Sequence, residues 1–347
     1  MRKWITISIL AMVFSLGCSS RNYQGPVSDH FDGEKFSNQG IRNEKSLWTV
    51  LKWQLNRDEV PWPESVENKV AYQPTPDPDP NKVYVTFVNH STFLIQWRGF
   101  NILTDPVWAE RTSPVSFAGP KRVRPPGIPF EQLPPIDLVV VTHNHYDHLD
   151  VETLKNLNQK FSPEFRVALG DGALMKKNGI VKVKEMDWFQ SEDFQKGTET
   201  LAVTFVPAHH WSGRGLNDRF LSLWGAYVFS SRGKHIFYGG DTGYSSHFLR
   251  IKERFSKFEL AFLPIGAYEP RWFMKEHHMN PEEAVQAWKD IGGPPTLGMH
   301  FGTFPLTDEG LEDPRKDLEI AKQKHGLAAD AFIAPDEGKT YQYQIAP

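Results

Sequence analysis

The chain has 347 residues, enough for one large domain or two ordinary ones, and its hydrophobic fraction of 39% is that of a globular protein. A formal net charge of -3 provides no global basic field for nucleic acid. Beyond the first residues, no run of about 18 apolar residues is present to cross a bilayer.

The N-terminus "MRKWITISILAMVFSLGCSS" has the basic start and apolar centre of an export signal, here residues 1–17. Cys18, the only cysteine, follows Gly17 and resembles the lipidated residue of a bacterial lipoprotein. The expected location is therefore export and lipid anchoring through Cys18, at an outer membrane or cell envelope. With no second cysteine, the domain must fold without an internal disulfide. Residues 18–80 read as a polar tether, a short amphipathic helix "LWTVLKWQLNRDE" and the proline-rich linker "YQPTPDPDPNK".

The main domain is expected over 81–347. "VYVTFVNHSTFLIQW" and "FNILTDPVW" are β-rich runs broken near Arg98-Gly99, a hairpin-like start. The strand "DLVVVTH" leads into "THNHYDHLD". A helix then begins with Asp150 as cap and Leu149 and Leu154 as a hydrophobic staple. "TLAVTFVPA", "LWGAYVFSS", "KHIFYGG" and "ELAFLPIGA" are further strands. Asn280 caps a later helix with Pro281 first and Glu283 third, and Gly292-Gly293 stops it. Sheets in the middle with helices outside is the α/β arrangement this order predicts.

His143, His145, Asp147 and His148 crowd the end of one apolar strand. Burying Asp147 unpaired is costly, and imidazole with carboxylate is a natural ligand set for a divalent metal. In extended chain His143 and His145 point to the same side, and a turn through Asn144 to Tyr146 lets Asp147 and His148 face a second point. The cluster therefore reads as halves of two sites. His209, His210, Asp241 and His300 each follow another apolar run and can complete them.

The HxHxDH cluster, with a later His, the Asp of "GGDTG" and a late His, resembles the metallo-β-lactamase superfamily. The stretches "ILTDPVW", "GPKRVR", "LPPIDLVVVTHNHYDHLD", "PAHHW", "GDTGY", "PIGAYEPRWFMK", "NPEEAV" and "HFGTF" resemble its N-acylphosphatidylethanolamine-hydrolysing phospholipase D family. That resemblance implies a four-layer αββα sandwich and two zinc ions. One zinc would be held by His143, His145 and His210, the other by Asp147, His148 and His300, with Asp241 bridging. The position directly before Trp211 selects His210 over His209. Asp147, Asp241 and His278 would carry the catalysis, with His278 steering the phosphate or leaving group; His277 receives no role.

Two cations about 3.5–4 Å apart can hold a shared hydroxide and clamp both oxygens of an in-line displacement. The implied activity is phospholipase D-type hydrolysis of an N-acyl phospholipid at a membrane surface, by an enzyme for which the family resemblance suggests a homodimer. Lys121, Arg122 and Arg124 stand either as a basic loop in solvent or as an attractor of the head group. The alternative enzyme acts on a soluble ester, a lactone or a cyclic phosphodiester, since fold does not fix substrate. An acyl-sized apolar groove would separate the two; the stretch "SGRGLNDRFLSLW" does not decide it. A third reading keeps the fold only for binding or envelope structure.

Overall fold

A computed structural model describes residues 23–42 and 44–345. The signal-like segment and Cys18 lie outside the described residues.

The first sheet begins with β1 (Lys82–Asn89), β2 (Thr92–Trp97) and β3 (Phe100–Thr104), joined antiparallel. The run expected as one strand up to Arg98 is broken at His90-Ser91, where His90 takes φ +46. Beyond β3 come β4 (Leu138–Val140), β5 (Glu164–Ala168) and β6 (Val183–Met186), all parallel.

The second sheet starts antiparallel with β7 (Ser191–Lys196), β8 (Glu199–Val206), β9 (Ala226–Ser231) and β10 (Lys234–Tyr238). It continues parallel with β11 (Leu260–Pro264), β12 (Thr296–Met299) and β13 (Phe332–Ile333). β14 (Thr340–Gln344) returns to pair with β1. Each sheet thus has four antiparallel strands followed by three parallel ones. This likeness in topology leaves no internal repeat in the sequence.

The sheets pack face to face, with Phe93 of β2 on Phe262 of β11 at 4.7 Å between ring centres. In β4, Leu138 and Val140 enter the core between the sheets while Val139 lies in a second core beneath α2 (Val151–Phe161). Burial on both faces is why this strand is uninterruptedly apolar. Asp150 caps α2 by accepting from the Thr153 amide, and Leu149 and Leu154 are buried as the staple required. The remaining helices are α1 (Leu47–Leu55), α3 (Gly172–Lys177), α4 (His247–Phe255), α5 (Arg271–Met274), α6 (Pro281–Asp290) and α7 (Asp313–His325). Asn280 and Glu283 form the full capping box of α6, which packs on β11 and against α4 and α7. Helices outside two central sheets make the expected αββα sandwich.

Residues 23–42 are not a free tether. Phe31 and Phe36 are buried in the main core, and Tyr23 packs on both at 5.0 and 5.4 Å. Two aromatic residues in a polar stretch have no period to announce them, yet they fill a groove and hold the segment down as a strap. The proline-rich stretch is pinned likewise at Tyr72, which joins the second core.

Candidate metal centre

The strand directions explain why the donors meet. β1, β3 and β4 run the same way, as do β8, β10 and β12, and all six end at one rim of the sandwich. Their following residues supply His90, Asp105, the His143–His148 loop, His210, Asp241 and His300. Carboxyl ends of strands are where α/β folds commonly place sites. Gly240 is needed there. Its φ is +58, and a Cβ would stand 2.8 Å from Thr142 and 2.9 Å from the Gly225 carbonyl, so Asp241 reaches the cluster only beside a glycine.

Two groups of donors result. His143 Nε2 is 2.8 Å from His145 Nδ1, which is 3.3 Å from His210 Nε2. On the other side, Asp147 Oδ2 is 3.5 Å from His148 Nε2 and 3.2 Å from His300 Nε2. Asp241 Oδ2 stands between them, 4.0 and 3.8 Å from His143 and His210, and 3.3 and 2.9 Å from His148 and His300. The structure therefore brings together all seven residues expected as ligands.

The electrostatics of the halves differ. Burial holds His143 and His145 well below the usual imidazole range, and brings His210 down to about 4. These three are neutral nitrogen donors at physiological pH. Burial also opposes charge on His148 and His300, but Asp241 and Asp147 outweigh it, raising His148 strongly and His300 to about 9. The carboxyl groups of Asp147 and Asp241 are held well below their usual range despite burial, by His148 and His300 and, at Asp147, also by His90. In the metal-free protein, protons on two imidazoles supply the positive charge that these carboxylates require.

The donor set fits two divalent cations. His148 Nε2 and Asp241 Oδ1 are buried without a hydrogen-bond partner. Such groups are rarely left so unless something else binds there. Cation binding would displace the protons from His148 and His300.

Several supporting residues escaped the sequence reading. Asp105 lies fully buried behind His148, whose Nδ1–H donates to its Oδ2 at 2.8 Å. The same oxygen accepts from Thr142 Oγ1 and Tyr238 Oη at 2.8 Å, and Oδ1 accepts from the Thr142 amide at 2.8 Å. Carboxylate behind imidazole fixes the ring and leaves the far nitrogen for a metal. His90 Nε2 donates to Asp147 Oδ2 at 2.9 Å, and its carbonyl accepts from the His300 amide at 2.8 Å. His90, Asp105 and His300 all have φ between +35 and +63, unusual for residues other than glycine and common where structure holds a site. The strap also contributes: Asn38 donates to the His210 carbonyl at 2.9 Å and accepts from the His210 amide at 3.2 Å. The only available signal was a lone His or Asp after a strand, in "VNHS" and "LTDP".

His278 comes to the site, its Nδ1 3.9 Å from Asp241 Oδ2 and its ring 5.1 and 5.3 Å from those of His210 and His300. Burial keeps it well below its ordinary pKa. His277, given no role, positions a ligand through its backbone: its carbonyl accepts from His210 Nδ1 at 3.0 Å. His209 belongs to none of the donor groups found among the described residues; its amide donates to Thr242 Oγ1 at 2.9 Å.

A pocket of about 300 Å³ opens over His145, Asp147 and His278. Its other walls are mainly apolar: Val50 and Trp53 of α1, Trp211, Phe273, Met274 and Leu306, with Lys45 and Arg219 as the cations. Of the stretch Ser212–Trp224, Arg219 alone lines it, whereas Phe220, Leu223 and Trp224 are core. The "GPKRVR" loop does not face this pocket. Lys121 pairs with Glu110 at 3.0 Å, Arg122 Nε donates to the Ala109 carbonyl at 2.8 Å, and buried Arg124 Nη1 donates to the Glu67 carbonyl at 3.2 Å. These cations brace loops.

Residues 100–301 match the family described as Beta-lactamase superfamily domain. N-acyl-phosphatidylethanolamine-hydrolyzing phospholipase D 1 of Caenorhabditis elegans is 39% identical over 270 residues, covering 75% of this chain and 76% of that one. The mitochondrial N-acyl-phosphatidylethanolamine-hydrolyzing phospholipase D of Saccharomyces cerevisiae is 38% identical over 261 residues, covering 74% and 55%. Among solved structures, Igni18, a metallo hydrolase from Ignicoccus hospitalis, superposes with a TM-score of 0.55 at 23% identity, covering 76% of this chain and 98% of that one.

Proposed function

Because this chain belongs to the beta-lactamase superfamily, as a metal-dependent hydrolase related to the N-acyl-phosphatidylethanolamine-hydrolyzing phospholipases D, we propose that it cleaves the phosphodiester of N-acyl phospholipids using two zinc ions. The observation that carries this reading over a soluble ester is the pocket. Val50, Trp53, Phe273, Met274 and Leu306 make an apolar wall beside His145, Asp147 and His278, which suits an apolar chain attached to a polar reacting group.

His143, His145 and His210 would hold one zinc and Asp147, His148 and His300 the other, with Asp241 between. Imidazole-rich sets with a few carboxylates favour zinc over magnesium or calcium. The chemistry such a pair supplies is Lewis-acid stabilisation of the phosphodiester oxygens and activation of water. The protein's own groups do the rest. Asp105 and His90 orient His148 and Asp147, so the geometry is set before substrate arrives. His278, kept neutral by burial, can donate one hydrogen bond to a phosphate oxygen without adding charge. Lys45 and Arg219 offset the charge of a phosphodiester in the pocket, and the apolar walls keep bulk water from the reacting bond. Lipid anchoring through Cys18 at the cell envelope would keep the enzyme beside this substrate. Among the described residues no helix is long and apolar enough to cross a membrane.

The test is metal analysis of the purified full chain with an assay for phosphatidic acid released from an N-acyl phosphatidylethanolamine, alongside His143→Ala. Two zinc ions per chain and release that vanishes in the variant are expected. Two metals without lipid turnover would move the assignment to a soluble ester, and absence of metal would overturn it.

A further inference from the structure

His210 stands beyond the strand that leads to it. β8 ends at Val206, and among the described residues no strand pairs with His210. The backbone of its neighbour His209 turns to one side, where its amide meets Thr242 Oγ1 and its carbonyl the Gly243 amide, each at 2.9 Å. The backbone of His210 turns instead to the strap. Asn38 Oδ1 accepts from the His210 amide at 3.2 Å and Asn38 Nδ2 donates to the His210 carbonyl at 2.9 Å. One side-chain amide thus serves both backbone groups of this residue, as an adjacent strand would. His210 is fully buried, so without Asn38 both groups would be sealed in with no partner. The His277 carbonyl holds Nδ1 at 3.0 Å, which leaves Nε2 for a cation.

We propose that Asn38 is a positioning residue for the His143–His145–His210 site and that through it docking of the strap and cation binding at that site are coupled; this rests on the two-metal reading above, though not on the lipid. Asn38 is itself held in place. Its Oδ1 also accepts from Trp224 Nε1 at 2.9 Å, and the turn from Asn38 to Ile41 is closed by backbone bonds of 2.8 and 3.2 Å between those two residues. The strap has further anchors of its own. The Phe36 amide donates to the Phe220 carbonyl at 2.8 Å, and His30 Nε2 donates to Asp187 Oδ1 at 2.8 Å. A docked strap therefore presents His210 with backbone and ring both fixed, and a cation that holds His210 holds the surface on which Asn38 rests. Coupling of this kind is reciprocal by thermodynamic necessity. Residues 23–42 lie outside the stretch 100–301 matched to the family, so the support of this ligand comes from beyond the shared domain.

The experiment uses the full chain and reads zinc affinity and proteolysis rather than turnover. Chelator competition on Asn38→Ala should find the His143–His145–His210 site about tenfold weaker and the other site unchanged. By reciprocity, zinc should slow tryptic cleavage of the parent chain at Lys35 and Arg42 in the strap about tenfold. Cleavage at Arg232, in the turn between β9 and β10, should keep its rate. In Asn38→Ala the zinc effect on the strap should vanish, and protection that persists there overturns the proposal. Both sites at parental affinity in the variant overturn it too, as does equal weakening of both, which is general loosening. The parent chain decides even where the variant fails to fold: zinc that leaves the strap as open to trypsin as before, or protects Arg232 equally, overturns the coupling. A parent that binds no zinc removes the two-metal reading and this proposal together, whereas two bound zinc ions with an unprotected strap remove this proposal alone.

Discussion

Replacing Asp105 by asparagine tests whether a residue outside the ligand set governs the metal site. Asp105 Oδ2 accepts from His148 Nδ1, Thr142 Oγ1 and Tyr238 Oη, each at 2.8 Å. With Oδ1 still serving the Thr142 amide, the asparagine NH2 would face those three donors. The hydroxyls have other options, since Tyr238 also donates to the Ser91 carbonyl at 2.6 Å. The His148 ring does not. Its proton moves to Nε2, the nitrogen that faces Asp147 and Asp241, and a protonated nitrogen cannot ligate. One hydrogen bond to a charged group is lost, roughly 1.5–3 kcal/mol, and zinc at that site should bind about 10–100-fold more weakly. Chelator competition on the metal-free protein, counting both sites, reads this directly. One site should weaken and the His143–His145–His210 site hold. Two zinc ions bound at parental affinity by Asp105→Asn would refute the reasoning, because His148 would then need no orienting partner.

His90→Ala should lower occupancy of the Asp147 side about tenfold, and His90→Gln should recover part of it because an amide can still donate to Asp147; metal content after dialysis measures both. Burial brings His247, packed between Ser245 and Thr242 and outside the ligand set, down to about 3. With its folded pKa below the unfolded value near 6.5, the unfolded chain takes up a proton that the folded one refuses. Its stabilising share is therefore complete above pH 6.5 and falls by about 3 kcal/mol by pH 4; urea titrations across that range should flatten in His247→Gln. Phe36→Ala should cost about 3–5 kcal/mol, the range for a fully buried phenylalanine. Equilibrium unfolding measures it, and a change below about 1 kcal/mol would mean that the strap is not part of the folded domain.

What could be read in advance was whatever local chemistry announces. Asp150 and Asn280 are followed at fixed offsets by the residues their caps need, and both helices start there. Four donors in six residues cannot be mistaken for core. The remaining ligands were legible because each follows an apolar run and matches a family motif. Asp105 and His90 likewise follow strands, but each stands alone there, with no second donor to separate it from an ordinary polar residue, and Asn38 follows no strand. Asn38 and His210 are 172 positions apart, and such a contact exists only once the sheets have closed. The strap was misread for a related reason: Phe31 and Phe36 show no period, since what they fill is a groove made by other elements.

The docked strap also fixes a length. If Cys18 carries a lipid, five residue steps separate it from Tyr23, whose ring is already seated on Phe31 and Phe36. At about 3.6 Å per extended residue, that leash spans no more than about 18 Å. A catalyst held so close cannot sample the surrounding aqueous volume. So anchored, it would meet molecules of the leaflet at a high effective concentration and those in solution at their ordinary one, a bias set by chain length before any pocket contributes.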